Sequence, residues 1–228
     1  RAESYLKDDL TLDWSRCEGQ RYFMSRAKEL GCDNFILFSN TPPVQYTYNG
    51  KGFSVQGASS NLKTEHYDDF AGYMTEVAAH YTGEGYNVTH ISPVNEPQYN
   101  WDGGQEGSGW TNDQVAKLVR ELDASLTASG LSTDILLGES GDWEYLYKSK
   151  SDANRSNVIN AFFREGSSAY VGNLPHVKNL ICGHSYWTDG TWDGIRLNKT
   201  RKLPDNMTLR CGKVSGACWE TATVLPSL

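Results

Sequence analysis

The 228 residues suffice for one domain with a substantial core, and a net charge of −7 with a pI near 5.2 and no basic patch argues against nucleic acid as a partner. No stretch reaches the ~18–20 apolar residues of a membrane span, so no membrane association is expected. Aromatic residues make up 12% of the chain, with seven Trp and thirteen Tyr, a content that suits stacking on sugar rings or filling a large core.

In chain order the pattern alternates between helix and strand. The chain opens at Arg1 without an initiating Met or a signal peptide, so a start lying elsewhere is expected. Glu18 to Leu30 carries apolar residues at Tyr22, Phe23, Ala27 and Leu30 with Gly31 as a stop, and predicts a helix. Phe35 to Ser39 is continuously apolar up to its final serine, as buried parallel strands are. A loop rich in Gly, Asn, Ser and Tyr then runs from Asn40 through Pro42-Pro43 to Asn61. Thr64 to Tyr81 predicts a helix with Tyr67, Phe70, Met74, Val77 and Tyr81 on one face.

Asn87 to Val94 predicts a short strand, and Asn95-Glu96-Pro97 closes it, with Gln98-Tyr99-Asn100-Trp101 behind. A carboxylate at a strand end, preceded by an amide and followed by a proline that stiffens the turn, sits where a barrel delivers catalytic groups. Glu96 is therefore the candidate general acid/base and Asn95 a partner for a sugar hydroxyl; taken alone, the tripeptide is equally an ordinary turn. Thr111-Asn112-Asp113-Gln114 is a capping box for a helix with the stripe Val115, Leu118, Val119, Leu122 and Leu126. Ile135 to Glu139 is a further buried strand, Ser151 to Arg164 a helix with Val158, Ile159, Phe162 and Phe163 inward, and Leu180 to Trp187 a fourth strand.

The strands recur at intervals of roughly 45–55 residues, which predicts a parallel sheet wrapped by helices. Polar and aromatic residues gather after the strands: Asn40, Glu96, Glu139 with Trp143, and His184 with Tyr186. The loops before the strands are short and plain, an asymmetry expected of a barrel with its active face at the strand C-termini. A doubly wound sheet shares it, but no Gly-x-Gly-x-x-Gly follows any strand. A full barrel needs ~250 residues, so part of one is expected here.

Four motifs in order carry a family resemblance. They are Phe38-Ser39-Asn40-Thr41-Pro42-Pro43 with Asn49-Gly50-Lys51-Gly52, then Ser92-Pro93-Val94-Asn95-Glu96-Pro97-Gln98, then Leu137-Gly138-Glu139-Ser140-Gly141-Asp142-Trp143, then Gly183-His184-Ser185-Tyr186-Trp187. Over Arg1 to Lys199 the chain resembles glycoside hydrolase family 30, and most closely its endo-β-1,6-galactanase-like members. The resemblance implies a (β/α)8 barrel, here an α/β domain of about strands three to six spanning residues 1–203. It also implies retaining hydrolysis of polysaccharide by a secreted monomer without cofactor or metal. Glu96 is then the acid/base, and His184 and Tyr186 lie beside the nucleophile and orient a carboxylate. Asn40 shapes a cleft wall with Pro42-Pro43. Trp101, Trp143 and Trp187 are candidates to stack on sugars, and Glu139 either binds sugar hydroxyls or pairs within the barrel. Trp110 and Trp192 are as readily structural, and Tyr22, Phe70, Tyr73 and Phe162 are expected in the core.

The second carboxylate of a retaining enzyme, expected in a Trp-x-Ser/Thr-Glu motif on strand seven, is not readable in frame. Residues 204–228 show neither helical period nor a buried strand and are expected to be an aberrant tail. Read from each third codon position, Cys211 to Glu220 permits Trp-Gln-Ser-Glu-Trp-Ser-(Met or Leu)-Leu-Gly, provided Ser215 uses an AG-type codon. A frameshift between about Thr200 and Cys211 is thus expected, with an unrelated extension or retained intron as the alternative; Glu220 is the one in-frame imitation of a nucleophile. The chain as given is expected to be inactive, a non-catalytic carbohydrate-binding or structural remnant being the other reading. Xylan and β-glucan are the competing substrates. His66, His80, His90 and His176 have no metal-ligand spacing, and the five Cys form none either. Sequons at Asn87, Asn154, Asn198 and Asn206 are compatible with secretion from a eukaryote.

Overall fold

The computed structural model describes residues 3–54, 59–184, 210–213 and 223–227, the last two stretches as backbone. Its centre is a parallel sheet. β1 (Phe35–Phe38), β2 (Val88–Ser92), β3 (Asp134–Ser140) and β4 (Val177–Gly183) lie side by side in chain order. These are the four expected strands: β1 and β2 fall inside their expected runs, β3 extends one residue beyond its run at each end, and β4 begins three residues before its run.

Helices cover one side of this sheet. α2 (Tyr67–Gly83) buries Tyr67, Phe70, Met74, Val77 and Tyr81, a stripe wide enough to form one wall of the main core. α3 (Asn112–Ser129) packs beside it and buries its whole stripe from Val115 to Leu126. Its start is the capping box: the Gln114 amide donates to Thr111 Oγ1 (3.2 Å), and the Thr111 amide donates to Gln114 Oε1 (3.0 Å). The other side of the sheet, facing what would be a barrel interior, holds the small cluster Ile36, Leu136 and Cys182. Burial on both faces explains the continuous apolar runs.

Four local expectations need correction. α1 (Glu18–Glu29) buries Met24 and leaves Tyr22 63% and Phe23 72% exposed, so Tyr22 is not core. At 3.6 residues per turn Tyr22 lies about 200° round the helix from Met24, on the outer side. The expected helix from Ser151 to Arg164 is broken into a single 3-10 turn at Ala153–Arg155 and α5 (Val158–Phe163). Ser156 causes the break: its hydroxyl accepts from the Lys150 amide (3.0 Å) and donates to the Asp152 carbonyl (2.8 Å), offering the backbone a non-helical arrangement. Asn157 follows in a left-handed conformation (φ 54°). A one-turn helix, α4 (Glu144–Tyr147), follows β3 where none was expected. Beyond Leu203, β5 (Arg210–Lys213) pairs parallel to β4, and β6 (Thr223–Ser227) pairs parallel to β1. Unpaired N–H and C=O groups along a sheet edge recruit short extended segments whatever their pattern. An edge place also suits Pro226, which has no N–H to donate.

Candidate active site

Glu96, Glu139 and His184 meet at the C-terminal ends of β2, β3 and β4. His184 Nδ1 lies 2.7 Å from Glu96 Oε1, and its Nε2 lies 2.7 Å from Glu139 Oε2. A neutral imidazole would set one bare nitrogen against a carboxylate, so the arrangement calls for a ring protonated at both nitrogens. Burial opposes that charge, but the hydrogen bonds to Glu139 and then Glu96 outweigh it and raise the His184 pKa to about 9.

Backbone geometry brings the three side chains together. In β3, Gly138 (φ 118°) and Glu139 (φ 44°) interrupt the register with β4, and this irregularity turns the Glu139 carboxylate into the sheet interior. Only glycine fits at 138, since a Cβ there would stand 2.1 Å from the Cys182 carbonyl oxygen. Glu96 is also left-handed (φ 37°), an uncommon conformation for a non-glycine residue and one often found at functional sites. Three bonds hold it: its amide donates to the Glu139 carbonyl (3.0 Å), while its own carbonyl accepts from the Tyr99 amide (2.9 Å) and from Trp101 Nε1 (3.1 Å). The His184 amide donates to the Ser140 carbonyl (2.8 Å), which continues the strand pairing to the site.

The two carboxylates differ in access. Glu139 is 0% exposed, and its Oε1 accepts from Ser92 Oγ (2.8 Å) and from the Cys182 thiol (3.2 Å). Its place as a sugar ligand is therefore corrected: water and sugar are both shut out, and it pairs within the barrel. The Glu96 side chain remains 18% exposed; Oε1 is held by His184, and Oε2 has no hydrogen bond among the described residues.

The amides around Glu96 form a second group. Asn95 Nδ2 donates to Asn40 Oδ1 (2.8 Å), while Asn95 Oδ1 is buried without a partner. Gln98, which sequence reasoning passed over, donates from Nε2 to Ser140 Oγ (3.0 Å), and its Oε1 is likewise buried and unpaired. Buried acceptors without donors are rare in proteins and suit the hydroxyls of a bound ligand. Next along the chain from Asn40, a cleft of about 590 Å³ opens, lined by Pro42, Pro43, Gln45, Lys51 and Phe53 among others.

The tryptophans need correction. Trp101 is 5% exposed with its ring against Gly107, where a Cβ would stand 2.1 Å from it, and its indole nitrogen holds the Glu96 carbonyl. Trp143 is 3% exposed, packed over Gly183. Neither presents a face to a sugar; both wedge the loops that carry the site. Tyr186 and Trp187 lie outside the described residues. Ser92 and Cys182 were also missed as site residues, and the available signal was their small polar side chains on strand residues beside the mouth.

Comparison with known proteins agrees with this architecture. The family model described as O-Glycosyl hydrolase family 30 matches residues 1–212, which carries the likeness past Leu203. A curated relative, an endo-beta-1,6-galactanase from Hypocrea rufa, is 26% identical over 154 residues, covering 64% of this chain and 32% of the relative. The solved structure of a conserved exported protein from Bacteroides fragilis has a TM-score of 0.81 at 31% identity, over 88% of this chain and 41% of that one. SrfJ from Salmonella typhimurium shares the fold, with a TM-score of 0.63 at 19% identity over 92% of this chain and 42% of its own. The chain thus spans about a third of the length of the curated relative, and its parallel sheet is part of an α/β barrel. With a match over residues 1–212 and four parallel strands side by side in chain order, the chain belongs to O-glycosyl hydrolase family 30.

Proposed function

We propose that this chain is part of a retaining glycoside hydrolase acting on β-linked polysaccharide, with β-1,6-galactan as the substrate. The observation that carries the proposal is the Glu96 carboxylate, with one oxygen held by His184 and the other without a hydrogen bond among the described residues, on a segment whose Asn95 and Gln98 each carry a buried unpaired acceptor. Glu96 Oε2 would protonate the departing glycosidic oxygen and then take a proton from the attacking water. The galactan assignment rests on the Hypocrea rufa relative, which is described as an endo-beta-1,6-galactanase. Secretion is the accompanying proposal, supported by the likeness to an exported protein, and a monomeric full-length enzyme is proposed with it.

Double displacement needs a second carboxylate ~5–5.5 Å from the first. Glu139 does not serve, because it is sealed behind His184. The proposed source of the nucleophile is the shifted frame over Cys211 to Glu220, and the out-of-frame tail proposed for residues 204–228 starts late in that span if the family match through residue 212 is in frame. Among the described residues Glu96 is the one carboxylate at the site that is not sealed off, which also favours the second reading, a chain that binds galactan without cleaving it. Two measurements decide. The nucleotide sequence between Thr200 and Cys211 should show a one- or two-base insertion or deletion; a continuous frame shared with close relatives refutes the frameshift. Reducing-end release from β-1,6-galactan should be absent for residues 1–228 and appear when the frame is restored. Release from xylan or β-glucan alone would move the substrate assignment.

A further inference from the structure

Glu139 is a buried carboxylate that the hydrolysis itself does not use. A strand bulge, a glycine that nothing else can replace and two donors, Ser92 Oγ and the Cys182 thiol, are all arranged around it. Such a group is costly to bury unless it is paired. Its Oε2 meets only His184 among the hydrogen bonds described, and the opposite nitrogen of that ring meets Glu96. We propose that Glu139 is a positioning residue for the acid/base: it holds the His184 ring doubly protonated and in one orientation, so that Nδ1–H pins Glu96 Oε1 and leaves Oε2 directed at the substrate. The inference rests on the assignment of Glu96 as the acid/base, although its physical core does not depend on turnover.

The geometry separates this role from a general structural one. Glu139 reaches Glu96 twice, through its own carbonyl to the Glu96 amide and through its side chain by way of His184. A packing role would require the first contact and would be indifferent to the charge of the second. The ionisable groups facing the cluster among the described residues are Glu96 from the loop after β2, Glu139 from β3 and the Cys182 thiol from β4. Among the described contacts of His184, both carboxylates favour the charged ring. Glu139 is the more buried of the two and its hydrogen bond is the stronger influence, which predicts an asymmetry between them.

The test is a titration of the His184 ring by nitrogen NMR in the 228-residue chain labelled at histidine, with His184→Gln identifying the resonances. In the unsubstituted chain both ring nitrogens should stay protonated at pH 7.5, with a midpoint near 9. Glu139→Gln should lower that midpoint by about two pH units, and Glu139→Asp, which keeps the charge, should restore most of it. Glu96→Gln should lower it by less than Glu139→Gln does. A neutral ring at pH 7.5 in the unsubstituted chain overturns the proposal, and that result needs no variant to fold. So does a larger shift from Glu96→Gln than from Glu139→Gln, or the same midpoint in Gln and Asp variants. No substrate enters the experiment. Failure to cleave galactan would remove the functional reading while leaving the titration intact, and the reverse outcome is equally separable.

Discussion

On the helix side of the sheet Phe70, Met74, Leu118 and Leu122 are completely buried and present no polar group, while at the strand ends Glu96, Glu139 and His184 meet at 2.7 Å. The first region has ordinary helical backbone and a wide apolar stripe. The second concentrates left-handed non-glycine residues, at Glu96, Trp101 and Glu139. Buried charge and sparsely populated backbone conformations persist only where the surroundings over-determine them. The packed layer of helices gives the margin of stability within which the mouth holds its unfavourable arrangement.

Variants separate the two regions. Phe70→Ala should have the largest effect, a loss of about 3–5 kcal/mol in denaturant-measured stability, while the His184 titration in whatever folded fraction remains should be unchanged. A shifted titration there would show that core and mouth are not independent. The next effect is one of pH. Because the folded-state His184 pKa is raised from 6.5 to about 9, the charged ring contributes stability that is fully present below pH 6.5 and is lost as pH rises through 9. Unfolding curves at a series of pH values should show that decline, and Glu139→Gln should flatten it. Trp101→Phe should cost about 1 kcal/mol through loss of the hydrogen bond to the Glu96 carbonyl, with more mobility of Glu96 seen by NMR. The smallest effect belongs to the outer face of α1: Phe23→Ser should change stability by no more than about 0.5 kcal/mol, since the ring is 72% exposed.

Much of the scaffold was legible because local chemistry agreed with the fold. The stripe of α2, the capping box of α3 and the apolar runs of β1, β3 and β4 each point to one structure, and the mouth residues follow from where those runs stop. Contacts between distant residues were not legible. The burial of Glu139 depends on the bulge at Gly138 and on a close approach to Cys182, 44 residues away, which no local pattern announces. Trp101 and Trp143 read as sugar platforms because exposure is not encoded in residue type; both instead wedge loops against glycines. Ser156 broke a helix whose apolar spacing was correct, because a side-chain hydrogen bond competed with the helical one. β5 and β6 were invisible for a different reason: sheet edges, and not their own side-chain pattern, supply their partners.

The most direct test of the central claim is chemical rescue of Glu96→Gln in the frame-restored enzyme. With an activated β-galactoside the glycosylation step should survive and deglycosylation should stall, since only the second step then needs the missing base. Added azide should restore turnover and yield the β-galactosyl azide, as net retention requires. Full activity of the Gln variant without azide, or recovery of the α-azide, would contradict the assignment of Glu96 as the acid/base of a retaining enzyme.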